Sequence, residues 1–209
     1  ALNAFAMVGS SSGVVTGVSA GTDIISYTVT NACGSAYATR LITINPLPDA
    51  GTITGPDSVC LGSTIALGDA APGGTWSAGN ANATVSGTGV VIGVMVGTDP
   101  ITYSVTNSCG TAYAVSVITV APLVTAGPIS GISSVCVGSG ITLTDPTPGG
   151  TWASSNTNAL VAGPGIIHGE SVGVDTIIYI VSNACGTSTA FKIITVNPVP
   201  VVSAISGPT

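Results

Sequence analysis

Apolar and polar positions alternate in short bursts along this chain. Over 101–106, Ile101, Tyr103 and Val105 fall on one face and Thr102, Ser104 and Thr106 on the other, the period of two that a half-buried β-strand requires. Ile65 and Leu67 repeat that pattern over 63–67, and the runs are broken by Pro72, Gly73 and Gly74 and by Gly87, Thr88 and Gly89. The stretch 46–121 therefore predicts seven short strands, at 51–59, 63–67, 75–77, 83–86, 89–95, 101–106 and 112–120. No helical period competes with them. Short strands separated by frequent turns specify an all-β, antiparallel β-sandwich.

The pattern returns at a fixed interval. Cys33, Cys109 and Cys185 follow one another in steps of 76 residues, and the same step relates Cys60 to Cys136, Trp76 to Trp152, and Tyr27 to Tyr103 and Tyr179. Asp69 recurs as Asp145, and Asp23 as Asp99 and Asp175. A long fixed period means one supersecondary unit copied in tandem. The expected division is 1–45 as the C-terminal part of a repeat, 46–121 and 122–197 as complete repeats, and 198–209 as the first strand of a following one. That division fits an array cut from a longer polypeptide. Linkers such as Asn45, Pro46, Leu47 and Pro48 favour a stiff row, because Pro restricts the backbone.

Two aromatic positions refine the sandwich. Trp76 falls in the third strand, where an immunoglobulin-like core places its large aromatic, and Tyr103 follows Gly97, Thr98 and Asp99, where a tyrosine corner would sit. Trp76, Trp152, Tyr27, Tyr103 and Tyr179 are thus expected core residues. The strings Gly73-Gly74-Thr75-Trp76, Gly89-Val90-Val91-Ile92-Gly93-Val94 and Gly97-Thr98-Asp99-Pro100-Ile101-Thr102-Tyr103 resemble the bacterial immunoglobulin-like repeats of Bacteroidota surface proteins. The run from Ser12 to Asp23 resembles them as well. The resemblance covers the whole chain and implies a stalk of a secreted or cell-surface adhesive protein. It carries over no catalytic residue.

Charge removes several classes of partner. With Lys+Arg 2 against Asp+Glu 8, the chain cannot release counterions from phosphate, so neither nucleic acid nor an anionic membrane surface is an expected partner. Val, Ile and Ala are dispersed among Gly, Ser and Thr, and no apolar run approaches the roughly 20 residues of a spanning helix, so membrane insertion is not expected.

Candidate chemistry is sparse. His168 occurs once, opposite Ile92 and Thr16 in the other copies, so a Ser-His-Asp arrangement has no counterpart between repeats, and no enzymatic role is expected. Asp69 and Asp145 fall in the second-to-third strand turn, and Asp23, Asp99 and Asp175 precede the Tyr strand. Stacked repeats could bring Asp99 near Asp145, but that junction offers fewer oxygens than calcium wants, so turn capping is the expectation and neither metal nor cofactor is invoked. Tyr37 and Tyr113 share one last-strand position and are the candidates for stacking on a surface glycan, but the third copy has Thr189 there, and ordinary strand tyrosines are the expectation. Asp57-Ser58-Val59 and Asp175-Thr176-Ile177 resemble the Asp-Ser/Thr-aliphatic acceptor of Bacteroidota O-glycosylation, which would make Ser58 and Thr176 the modified residues.

The cysteines point to an oxidising compartment. Five Cys at repeat-locked positions, without a C-x-x-C pair, fit disulfides better than a zinc site. Pairing within a repeat would join Cys60 to Cys109 and Cys136 to Cys185. Immunoglobulin topology places those partners at opposite ends of the sandwich, which favours Cys60 with Cys185 across a junction and leaves Cys33, Cys109 and Cys136 to other repeats. A different strand order would restore the within-repeat pairs. The functional expectation is an extracellular, non-catalytic filament or stalk whose partners are neighbouring repeats or copies of the same chain. A carbohydrate- or receptor-binding module, or spacer domains of a secreted enzyme, are the alternatives.

Overall fold

The computed structural model describes residues 1–204, and residues 205–209 of the expected following strand lie outside it. The chain forms two compact units, Ala1–Val120 and Ala121–Thr209. Unit 1 opens with β1 (Ala6–Val8) paired to β2 (Val15–Gly17), followed by the hairpin of β3 (Gly21–Asn31) and β4 (Gly34–Ile44). It continues with β5 (Ser58–Cys60), β6 (Thr64–Ala66), β7 (Thr75–Ala78), β8 (Ala83–Val85), β9 (Val90–Gly93), β10 (Gly97–Asn107) and β11 (Gly110–Ala121). These last seven make two sheets, ordered β5-β11-β10-β7 and β6-β9-β8. Between the sheets lies a core of Val59, Leu67, Val91, Ile101, Ile118 and Val120.

Unit 2 repeats the plan with β12 (Ser134–Cys136), β13 (Gly140–Thr142), β14 (Thr151–Ser154), β15 (Ala159–Gly163), β16 (Ile166–Gly169), β17 (Gly173–Asn183) and β18 (Gly186–Asn197). Its sheets are β12-β18-β17-β14 and β13-β16-β15, around Val135, Leu143, Ile167, Ile177, Ile194 and Val196. This is the immunoglobulin-like sandwich expected from the sequence. Residues 198–204 form no strand.

The first strand departs from its expected form. Instead of running unbroken over 51–59, it touches one sheet through the bridge Thr54↔Gly68 and then crosses to the other as β5. The crossing falls at Gly55, whose φ of 130° suits glycine alone, followed by Pro56, which cannot donate to a ladder. Ser130↔Thr144 and Gly131 (φ 120°) repeat the device in unit 2. There β12 runs parallel to β18, with Cys136 opposite Asn197.

The aromatics are placed differently from a tyrosine corner. Tyr103 lies mid-strand in β10 opposite Trp76 of β7, with ring centroids 4.7 Å apart. Its hydroxyl donates to Ala71 O (2.6 Å) and accepts from Gly74 N (2.9 Å), so it closes the turn between β6 and β7 rather than one beside its own strand. Tyr179 does the same with Thr147 O and Gly150 N. Gly74 is required because a Cβ there would fall inside the Tyr103 ring. Tyr103 and Tyr179 are 6% and 5% exposed, whereas Trp76 and Trp152 are half-buried and pack against the core from its edge. Tyr27, expected in the core, is 71% exposed, because β3 pairs only with β4 and no counterpart of β7 covers its ring among the described residues.

The aspartates divide into two kinds. Asp69 Oδ1 accepts from Ala71 N, and Asp145 Oδ1 from Thr147 N and Gly127 N, which is the expected turn capping. Asp23, Asp99 and Asp175 lie inside β3, β10 and β17 instead of in a turn, and each is 0–1% exposed. Asp99 accepts from Gly79 N, Asn80 N and Ala83 N at 2.8, 3.1 and 2.9 Å, which fastens the loop between β7 and β8. Asp175 holds the equivalent loop through the Ser154 and Ser155 hydroxyls and the Asn156 and Ala159 amides. Burial opposes the Asp175 charge, but these donors outweigh it and hold the carboxyl below the ordinary aspartate range. Asp23 is lowered likewise, burial being outweighed by the amides of Asn3, Ala6, Ile24 and Leu2.

Two outcomes are expected. Tyr103→Phe removes the hydroxyl from two backbone groups and should cost about 1–3 kcal/mol, read as a lower denaturant midpoint with an unchanged spectrum of folded protein. For Asp175 the unfolded chain binds the proton more readily than the folded one. Its contribution to stability is therefore present above the ordinary carboxylate pKa of about 3.9 and is lost as pH falls from there through the lower folded value. Denaturation midpoints followed from pH 7 to pH 2 should show an acid limb that is shallower in Asp175→Asn; an unchanged limb would exclude this carboxylate as a source of acid lability.

Candidate functional site

The cysteines occupy two kinds of position. Cys33, Cys109 and Cys185 sit at the tips of the long hairpins β3-β4, β10-β11 and β17-β18, each two residues after an asparagine: Asn31, Asn107 and Asn183. Each asparagine Oδ1 accepts from the cysteine amide, at 2.9, 2.8 and 2.8 Å, so the side chain shapes the turn. In two repeats the same asparagine reaches the linker before its own sandwich: Asn107 Nδ2 donates to Pro46 O and Asn183 Nδ2 to Pro122 O, both at 3.0 Å. This places the Cys109 sulfur 3.8 Å from Asn45 O and the Cys185 sulfur 3.9 Å from Ala121 O. The tip is thereby fixed on the linker.

Cys60 and Cys136 end the short strands β5 and β12. Val137 N donates to Asn197 O at 3.0 Å, which holds the Cys136 strand end against the end of β18. A groove of about 230 Å³ opens beside Cys136, lined by Ile132, Val135, Ser139, Ile141 and Asn197. Cys185 precedes the first residue of β18, whereas Cys136 pairs with its last. Eleven steps of strand separate those points, about 36 Å at ~3.3 Å per residue, far beyond disulfide reach, so the strand order removes the within-repeat pairing in unit 2. Cys60 and Cys185 are disulfide-bonded, and Cys33, Cys109 and Cys136 are exposed free thiols.

The other candidate residues are dispersed. His168 is exposed on β16 between Gly140 and Leu160, and among the described residues no three His, Cys, Asp or Glu side chains gather to hold a metal ion. Asp69 and Asp145 each keep one oxygen, Oδ2, buried without a hydrogen bond. Ser58 is exposed at the start of β5, whereas Thr176 is half-buried within β17, whose backbone is already paired on both sides. A cleft of about 520 Å³ in unit 2, lined by Ala153, Asn156, Leu160, Val161 and Glu170, brings a single carboxylate to an apolar surface. Among the described residues no helix is long and apolar enough to cross a membrane.

Sequence reasoning missed two features. The tip asparagines recur in the same 76-residue step as the cysteines and were open to detection by it. The last strands also expose apolar side chains outward beside the candidate Tyr37 and Tyr113, with Leu41, Val115 and Val117, and Phe191 and Ile193 all more than half exposed. Their period of two is the same as that of a buried face, so the pattern alone does not say which side meets solvent.

No protein-family model matches the chain, and no curated protein matches it. Among solved structures, it is similar to the surface layer protein SbsC, domains 1-6, at 14% identity and a TM-score of 0.32, over 92% of this chain and 37% of that one. It is similar to a SusE-like surface located polysaccharide binding protein from Bacteroides thetaiotaomicron at 11% identity and a TM-score of 0.31, over 93% of this chain and 41% of that one. The extracellular cadherin domains 1-5 of protocadherin gamma B2 give 10% identity and a TM-score of 0.38, over 95% and 51%. The chain thus spans well under two thirds of the length of these three proteins, and likeness at this level assigns it to no family.

Proposed function

We propose that this chain is a non-catalytic segment of an extracellular stalk or filament of immunoglobulin-like repeats, with a disulfide stapling the joint at 121/122. In this reading the repeats divide at 45/46 and 121/122, and Cys60 bonds to Cys185. The observation that supports it is that, of the five cysteines, one strand-end cysteine and one hairpin-tip cysteine are oxidised and the other three are not. In unit 2, Thr195 N donates to Ser133 O and Cys136 lies opposite Asn197; in unit 1, Thr119 N donates to Asp57 O, the same register one repeat earlier. The tip cysteine Cys185 carries its sulfur 3.9 Å from Ala121 O. Cys60 and Cys185 are both disulfide-bonded while the other three cysteines are thiols.

An oxidised pair supports an extracellular setting, because disulfides persist in oxidising compartments. A joint closed in this way limits bending where a Pro linker already does, which suits a chain that transmits load rather than one that turns over a substrate. A second reading, a glycan-binding surface, draws on Tyr37 and Tyr113, exposed at equivalent positions, and is weakened by Thr189 at the third.

Non-reducing peptide mapping of the native protein should yield a peptide linking Cys60 to Cys185. A peptide linking Cys60 to Cys109 would overturn the joint. Electron microscopy of native particles should find filaments, and free monodisperse modules would overturn the filament reading.

A further inference from the structure

Independently of the disulfide joint, we infer that the open edge of β11 is a self-association site, at which two copies of this chain pair antiparallel over residues 111–117. β5 covers only the far end of β11, where Thr119 N donates to Asp57 O at 2.9 Å. Alternate residues of an antiparallel strand turn both of their backbone groups to the same side. Thr111, Tyr113, Val115 and Val117 therefore aim theirs as Thr119 does, away from β10, and among the described residues of this unit no backbone group meets them. The strand that covers this edge is present and short, so the opening belongs to the sandwich itself and is not one that a preceding or following repeat completes.

The edge lacks the features that keep sheet edges apart. Residues 111–117 hold no charge and no proline, and their register with β10 runs without a bulge. The outward side chains Tyr113, Val115 and Val117 are 68%, 59% and 57% exposed. The other two hairpins differ at one position. Arg40 and Lys192, the chain's two basic residues, stand 76 residues before and after Ser116. Lys192 lies on the core side of β18 and its Nζ donates to Ile129 O at 3.4 Å, so a strand added there must cover an ammonium group. A charge set inward on an edge strand is a guard against pairing, and β4 and β18 carry one where β11 does not.

The occupant that fits is the same edge of a second copy. A two-fold axis beside Ala114 sets Thr111 opposite Val117 and Tyr113 opposite Val115, each turning its backbone groups toward the other, for about eight backbone hydrogen bonds. On each half an aromatic ring then faces a β-branched side chain, a favourable cross-strand pair. Ala112, Ala114 and Ser116 between them are too small to obstruct the approach. The stretch offers no charge for a charged partner to match, and two copies of net charge -6 meet here where neither carries any. The same patch serves on both sides, so the contact closes as a dimer.

The test follows the mass of the 209-residue chain by sedimentation from micromolar to millimolar concentration, with its free thiols alkylated so that no new disulfide forms, and reads amide exchange residue by residue. The expected result is a reversible dimer. The amides of Thr111, Tyr113, Val115 and Val117 should gain protection with concentration, whereas those of Ala112, Ala114 and Ser116, already bonded to β10, should not change. Val115→Pro removes an N–H that bonds nothing within its own unit, and it should weaken the dimer about tenfold or more while the circular dichroism of the folded protein is kept. Ser116→Lys, which gives β11 the residue that β18 has there, should weaken it as well and leaves every backbone group in place. Thr39→Pro and Phe191→Pro, the equivalent changes on β4 and β18, should leave the dimer intact. A monomer at every concentration, a dimer that survives both Val115→Pro and Ser116→Lys, or one lost with Thr39→Pro or Phe191→Pro would overturn the inference.

Discussion

A carboxylate with no access to water must find its hydrogen bonds inside the protein or give up its charge. Each repeat meets that demand at the same place. Asp23, Asp99 and Asp175 are buried on the first strand of each long hairpin and spend their oxygens on the segment that leads into β1, β8 or β15. In a chain with only 5% charged residues, a buried and hydrogen-bonded carboxyl group of this kind is a specific device. It ties a loop of one sheet to the strand at the heart of the other, and the Tyr hydroxyl ties the turn between β6 and β7 to that same strand. Two polar anchors on β10, on either side of Ile101, thus set how the apolar faces meet. The core they enclose is built mostly of Val and Ile, whose stiff side chains fill the space between sheets but say little about the path of the loops.

Much of this was legible in the sequence. The period of two at Ile101, Tyr103 and Val105 gave the strand, and the 76-residue step gave the copies. The crossing of the first strand was hidden, because Gly55 and Pro56 read equally well as a turn or as a change of sheet. Asp99 was misplaced for a related reason. Aspartate is a frequent turn residue, and nothing local distinguishes an aspartate that caps its own turn from one that caps a loop 16 to 20 residues away. Tyr103 was expected to close a corner next to its own strand and instead reaches back 32 residues to Ala71. Pairwise reach of this kind is a property of strand order, which a single sequence does not contain.

The cysteines illustrate the converse. Their spacing suggested within-repeat bonds, and topology argued against them. The parallel placement of β12 against β18, with Cys136 at the far end of that strand from Cys185, supplies the physical reason. The joint asparagines were not anticipated, although they repeat with the same step, because an asparagine beside a turn glycine is unremarked in any β-protein.

The parallel contact between β12 and β18 also bears on mechanics. A sandwich pulled from its two ends is loaded through its first and last strands, and here these are side-by-side neighbours running in the same direction. Traction therefore slides one along the other. The bonds from Thr195 N to Ser133 O and from Val137 N to Asn197 O lie across that motion and bear it together, where a hairpin pulled apart from its open end would release its bonds one after another. Under such traction the strand that changes sheets at Gly131 would act as a shear clamp.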